Sequence, residues 1–224
     1  MRRLKLMLPV LSGIGLWLGV SIGALAGDLS KAEKAEGFVS LFNGKTLDGW
    51  VGSTKGYIAE NGLLVCRKKG GGNLLTAKQY ADFVLRFEFR LPPGGNNGLA
   101  IRTPRKGNPA YVGMELQILD NTSKRYAKLK PYQYHGSIYG VVAALRGHLK
   151  PVGEWNQQEV IARGTKIRVV LNGTTIVDAD LKGIKPLDGR KHAGLSRKSG
   201  HLGFMGHGAR IDFRHIRLKD LAAK

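Results

Sequence analysis

The segment 83–90 restricts what this chain can fold into more than any other. Phe83, Leu85, Phe87 and Phe89 alternate with Val84, Arg86, Glu88 and Arg90. A period of two places one set on each side of an extended chain, giving one apolar and one largely polar face. Pro92-Pro93-Gly94-Gly95 then stops the strand. Shorter runs of the same kind follow at residues 99–102, 111–119, 159–163, 166–171, 174–179, 201–205 and 209–218, separated by Gly, Asn, Asp and Pro. Asn172-Gly173 between two such runs is the strongest hairpin signal, because both residues tolerate the positive φ of a type I′ turn. In the last run Ile211 and Phe213 share one phase, Ile216 and Leu218 the other. That change of phase predicts a β-bulge. Many short strands without long helical periodicity predict an all-β fold, a sandwich of two antiparallel sheets.

The N-terminus bears on the compartment. Arg2, Arg3 and Lys5 precede an uncharged, mostly apolar run that ends in Ala24-Leu25-Ala26. This is the layout of a secretory signal peptide, and it predicts residues 1–26 as the leader of a secreted or periplasmic protein. The alternative is a permanent N-terminal anchor, since the run is close to the roughly 20 residues that span a bilayer. No span is expected in the mature chain. Residues 27–37 read as a linker or one helical turn, and 38–220 as a single domain. The sole cysteine, Cys66, excludes an internal disulfide and reads as a small buried apolar residue.

The formal net charge is +20. The basic residues are scattered rather than gathered in one block or helix, and export disfavours a nucleic-acid partner. A cationic surface that contacts anionic polymers is the simpler expectation.

An ordered set of motifs resembles one family. Residues 41–50 include Asn43-Gly44 and Asp48-Gly49-Trp50, and 80–90 contain the long strand. Further motifs are Asn96-Asn97-Gly98 within 95–102, Glu115-Leu116-Gln117 within 115–120, His135-Gly136-Ser137 within 135–140, Gly153-Glu154-Trp155-Asn156, Leu171-Asn172-Gly173 and His207-Gly208. Together they resemble the 3-keto-disaccharide hydrolase-like domain, formerly a domain of unknown function, over about residues 38–220. The resemblance implies a concanavalin A-like jelly roll acting on glycosides whose C3 hydroxyl is oxidised to a ketone. The family often has Asn-Ser-Gly where this chain has Asn96-Asn97-Gly98. It also often has an acid before the late His-Gly, where Gly206 stands here.

Glu115 is the first catalytic candidate. In an extended strand it shares a face with Gln117, whereas Leu116 and Ile118 point the other way. The acid and amide should therefore line the concave sheet rather than the core. His135, in an aromatic-rich stretch, and His207, between two glycines, are the next candidates, since imidazole can act as base, acid or metal ligand. Asn97, Arg102, Gln117, Tyr134 and Trp155 are candidate substrate contacts, Tyr134 and Trp155 through ring stacking on sugar. Glu115, His135 and His207 could hold a divalent cation, although no tight ligand spacing exists. His148, His192, His201 and His215 read as surface or structural.

A conventional glycosidase needs two carboxylates about 5 to 9 Å apart. No second acid shares the Glu115 face, because Asp120 lies at an odd offset. A 3-keto sugar needs only a base at C2 and a group at the ketone oxygen. Glu115 or His135 could be that base, and Arg102 or a cation that group. The sequence therefore predicts an exported hydrolase or lyase on 3-keto-glycosides, with a non-catalytic carbohydrate-binding sandwich as the alternative.

Overall fold

The computed structural model describes residues 29–222; the leader expected at 1–26 lies outside them. The chain opens with a helical turn α1 (Lys31–Ala35). There follow β1 (Val39–Ser40), β2 (Trp50–Gly52), β3 (Tyr57–Glu60), β4 (Leu63–Cys66), β5 (Gly71–Thr76), β6 (Phe83–Arg90) and β7 (Asn96–Thr103). After a second helical turn α2 (Pro109–Val112) come β8 (Met114–Leu119), β9 (Trp155–Arg163), β10 (Lys166–Leu171), β11 (Thr174–Asp180), β12 (His201–His207) and β13 (Ile211–Asp220).

The strands form two antiparallel sheets. The larger runs β11-β10-β9-β6-β13-β4-β3, with β1 also on β13, and the smaller runs β2-β5-β12-β7-β8. Residues 136–139 extend the smaller sheet beyond β8: Gln117 N donates to Ser137 O, Tyr139 N to Glu115 O, and Leu116 bridges Ile138. This is the predicted jelly-roll sandwich.

The inward faces follow the pleat. Phe83, Leu85, Phe87 and Phe89 of β6 are buried against Leu99 and Ile101 of β7, Leu116 and Ile118 of β8 and Phe204 of β12. Phe204 of the smaller sheet stacks on Phe213 of the larger at 3.9 Å between centroids and meets Phe87 edge-on at 5.6 Å. Each such aromatic pair contributes about 1 kcal/mol beyond its buried area. Cys66 is free and buried in this core. The predicted bulge in β13 is present: pairing with β6 slips between Arg214 and Arg217, and His215 takes φ 52°. Asn172 and Gly173 both have positive φ, as the hairpin requires.

One expectation is corrected, and an alternative is decided. The strand predicted from 111 begins only at Met114, because Asn108 caps a helical turn with Pro109 at its start; the Asn108 side-chain Oδ1 accepts from Ala110 N at 3.1 Å. Pro is favoured at that first position, where its missing N–H is not needed. The segment read as linker or turn is a turn docked on the sandwich. Ser30 and Glu33 form a capping box, and Glu33 pairs with Arg217 on the outer face of the larger sheet. Both side chains are almost fully buried. Burial pushes the Glu33 carboxyl up, but the Ser30 hydrogen bonds and the Arg217 charge outweigh it and hold it below its usual range.

Removing one partner of a buried ion pair is strongly destabilising. Glu33→Ala should lower stability by about 3 kcal/mol in urea unfolding, whereas truncating exposed Glu36 should change it by less than about 0.5 kcal/mol.

Candidate active site

The outer face of the smaller sheet is built by strand register. One row across it is Val51, Leu75, Gly203, Ala100 and Glu115, each opposite the next in adjacent strands. Tyr139 continues the row, since its backbone N–H bonds the Glu115 carbonyl. The next row along the strands holds Asn73, Met205, Gly98 and Gln117. Neighbours opposite each other in a ladder project to the same side. The floor is buried although it faces away from the space between the sheets: Leu75, Ala100 and Met205 pack together, and Glu115 is 5% exposed.

The Glu115 carboxyl makes no hydrogen bond or ion pair among the described residues. Burial alone pushes its carboxyl up to about 7. An acid that is half-protonated near neutral pH can take or return a proton there. Gly98, directly beside it, leaves the room: a Cβ at position 98 would collide with the Glu115 carboxylate. The acid therefore lies across β7 instead of standing upright. Tyr139, whose backbone pairs with that of Glu115, accepts a hydrogen bond at its hydroxyl from Gln133 Nε2 at 2.8 Å, which leaves the hydroxyl hydrogen free to donate. Tyr139 lies within the 135–140 motif, yet sequence reasoning gave it no role. Its significance comes from the edge pairing with β8, which no local pattern reveals.

Of the residues predicted for this site, Gln117 shares the face with Glu115. His207 is also on it, but two strands over and four residues along from Glu115, a backbone separation on the order of 15 Å. The other expected members lie elsewhere. His135 faces the space between the sheets, where its ring stacks on Phe89 at 5.1 Å and Nδ1 accepts from Leu119 N at 3.4 Å. Its Nε2 is buried and lacks a hydrogen bond. Burial is the main reason its pKa falls to about 3, against a smaller upward effect of the nearby Gln158 amide. His135 is thus held neutral, behind the sheet that carries Glu115.

Asn97 also points inward; its carbonyl oxygen accepts from Gly98 N and Met205 N. Arg102 takes φ 49° and turns off the face, where it donates to Ala81 O and Gly164 O and pairs with Asp82. Trp155 lies on the outer face of the larger sheet, with Arg214 4.1 Å and Arg90 4.9 Å from its ring centre. Tyr134 packs with Leu119 and Tyr126 in a small loop core. Position 206 faces Cys66 and Tyr57 in the interior, so an acid there would not stand beside His207.

The expected cation ligands Glu115, His135 and His207 do not converge. Among the described residues no three His, Cys, Asp or Glu form a cluster able to hold a metal ion. The residues present do not fit that expectation.

Its similarity to proteins named as hydrolases places this jelly roll in the carbohydrate-active hydrolase class. The chain is a member of the 3-keto-alpha-glucoside-1,2-lyase-like domain family, whose match spans residues 37–219. It is 27% identical to a 3-keto-disaccharide hydrolase of Bacteroides thetaiotaomicron, over 84% of this chain and 79% of that protein. A candidate glycosyl hydrolase from Parabacteroides distasonis superposes with a TM-score of 0.74 at 26% identity, covering 88% of this chain and 99% of that one. The carbohydrate-binding module CBM66 of Bacillus subtilis shares the fold at TM-score 0.51 and 14% identity, over 75% of this chain and 94% of that one.

The two buried groups make opposite stability predictions. The folded state binds the Glu115 proton more tightly than the unfolded chain. Its contribution is therefore full below about pH 4.5 and is lost as pH rises through 7. Glu115→Gln should remove this loss and raise stability at pH 8 by about 3 kcal/mol relative to pH 4.5, measured by urea unfolding at both values. The folded state disfavours protonated His135, so that contribution is full above about pH 6.5 and fades as pH falls toward 3. His135→Gln should flatten the acid limb of the same profile between those values.

Proposed function

We propose that this protein cleaves 3-keto-glycosides by elimination and hydration, with Glu115 as the base. The observation that carries the reading is the unpaired, buried Glu115 carboxyl with its pKa pushed to about 7. The family match over residues 37–219 and the named activity of the Bacteroides relative supply the substrate class.

The chemistry follows from the ketone. Glu115 removes the proton at C2, and the electron pair of the C2–H bond moves toward the C3 carbonyl to give an enolate. Tyr139, which shares the face with Glu115 through their backbone pairing, donates from its hydroxyl to the developing oxyanion. The enolate collapses, the C1–O bond breaks, and the departing oxygen takes up a proton from the Glu115 carboxylic acid. Water then adds to C1 and a proton returns to C2, so the net change is hydrolysis. A single acid–base carboxyl of near-neutral pKa serves both proton transfers. This suits a face with one carboxylate, whereas displacement at C1 calls for two. Arg102, engaged with Asp82, has no part in the scheme.

Glu115→Gln should lower turnover of a 3-keto-disaccharide at least about 100-fold while the variant stays folded. Gly98→Ala, which displaces the Glu115 side chain, should lower kcat with little change in KM. In D2O the released 3-keto sugar should carry deuterium at C2. Unchanged turnover by Glu115→Gln would dismiss Glu115 as the base, and a C2 free of deuterium would dismiss elimination.

A further inference from the structure

The loop between β8 and β9 contains an amide whose orientation is fixed. Pro131–Gln133 form one 3-10 turn, and the Gln133 side chain folds back over it. Its Oε1 accepts from Lys130 N at 3.0 Å, while its Nε2 lies 2.8 Å from the Tyr139 hydroxyl. A backbone N–H can only donate, so the atom facing Lys130 is the oxygen and the atom facing Tyr139 is the nitrogen. An amide nitrogen likewise only donates. Tyr139 is therefore held as the acceptor in this bond, and its single hydrogen is left for another partner. One segment keeps both residues in place. Ser137 Oγ donates to Pro131 O at 3.3 Å and accepts from Ala144 N at 3.0 Å, and Gly140 N donates to Tyr132 O at 3.4 Å. Tyr139 N bonds Glu115 O, which ties that segment to β8. Gln133 and Tyr139 are each half-buried, so their bond is partly shielded from water while the phenol stays within reach of a ligand.

We propose that Gln133 is a positioning residue that keeps the Tyr139 hydroxyl ready as a donor to the enolate oxygen. The inference rests on the elimination reading and deepens it by naming what prepares the oxyanion donor. A hydroxyl free to rotate spends part of its time donating elsewhere, and turning it back forfeits part of the stabilisation that a preorganised donor supplies. Gln133 settles that choice before substrate arrives. It does not touch the reacting atoms; its effect passes through Tyr139. A carboxylate at the same position would reverse the bond. One oxygen would still accept from Lys130 N and keep the turn, but the other would accept the Tyr139 hydrogen and withdraw it from the ligand. The charged side chains on this side are Lys130 of the turn and Arg190, which donates to Tyr111 Oη at 2.9 Å and lies within electrostatic range of Tyr139. Both cations favour the ionised form of an introduced carboxyl.

The test compares Gln133→Glu, Gln133→Met and Tyr139→Phe in the purified protein, with melting curves to check that each is folded. The first measurement is NMR of protein labelled with 13C at the tyrosine Cζ. The Tyr139 signal, assigned by its loss in Tyr139→Phe, should move downfield in Gln133→Glu, because the hydroxyl changes from acceptor to donor. The second is turnover of a 3-keto-disaccharide. Gln133→Glu should lower kcat at least about tenfold with KM within about twofold, and Gln133→Met should lower it less. A merely structural role predicts the opposite order, since methionine at this position loses the Lys130 bond and glutamate keeps it. Added to Tyr139→Phe, Gln133→Glu should cost no more than about threefold further. An unmoved Cζ signal, an unchanged kcat in Gln133→Glu, a greater loss in Gln133→Met, or an equal loss in the Tyr139→Phe background would each overturn the assignment. The Cζ signal needs no turnover and is independent of Glu115→Gln, so the two readings fail separately.

Discussion

The contact between Phe204 and Phe213 holds the molecule together across its two layers. One ring comes from the smaller sheet and one from the larger, and Phe87 and Trp50 close around them. With one cysteine there is no covalent cross-link, so the sheets stay in register through this aromatic packing and the aliphatic side chains around it. The alternation that sends Leu116, Ile118, Leu99 and Phe204 into that core also decides what faces outward. Glu115, Gln117, Gly98 and Met205 are placed on the open side by the same pleat.

The role proposed for Glu115 depends on what it lacks. A buried carboxylate with an arginine partner would stay ionised and would be a poor acceptor at the moment of reaction. Arg102 two strand positions beyond Ala100 could have been such a partner, but its positive φ and its bonds to Ala81, Gly164 and Asp82 take it away. Gly98 contributes by absence as well, giving the acid space to lie over the sheet. The cost is a group that destabilises the fold above neutral pH, a trade expected where chemistry needs a proton that is easily exchanged.

How much of this could be read from the chain varies by scale. The alternation in 83–90, the Asn172-Gly173 turn and the phase shift before Ile216 report local backbone geometry, and the structure has all three. The outward direction of Glu115 and Gln117 was legible for the same reason. His135 and Asn97 were not: their direction depends on the pleat of one strand and on an edge segment, and both point between the sheets. Arg102 sits on an outward register position, but a single left-handed residue redirects it. Tyr139 acquires its place from a pairing between residues 24 apart, and Trp155 shares a motif yet belongs to the opposite sheet. Side-chain type marks a candidate; only the pairing of strands says which candidates meet.

The docked turn α1 has a bearing on how the domain can be held. Ser30, Glu33 and Arg217 fasten the first described residues to the outside of the larger sheet, and Glu115 lies on the outward side of the smaller one. Whatever is joined ahead of residue 29 starts from the back of the molecule. Immobilisation on a bead or fusion to a carrier through that end would leave the face that carries Glu115 turned away from the attachment.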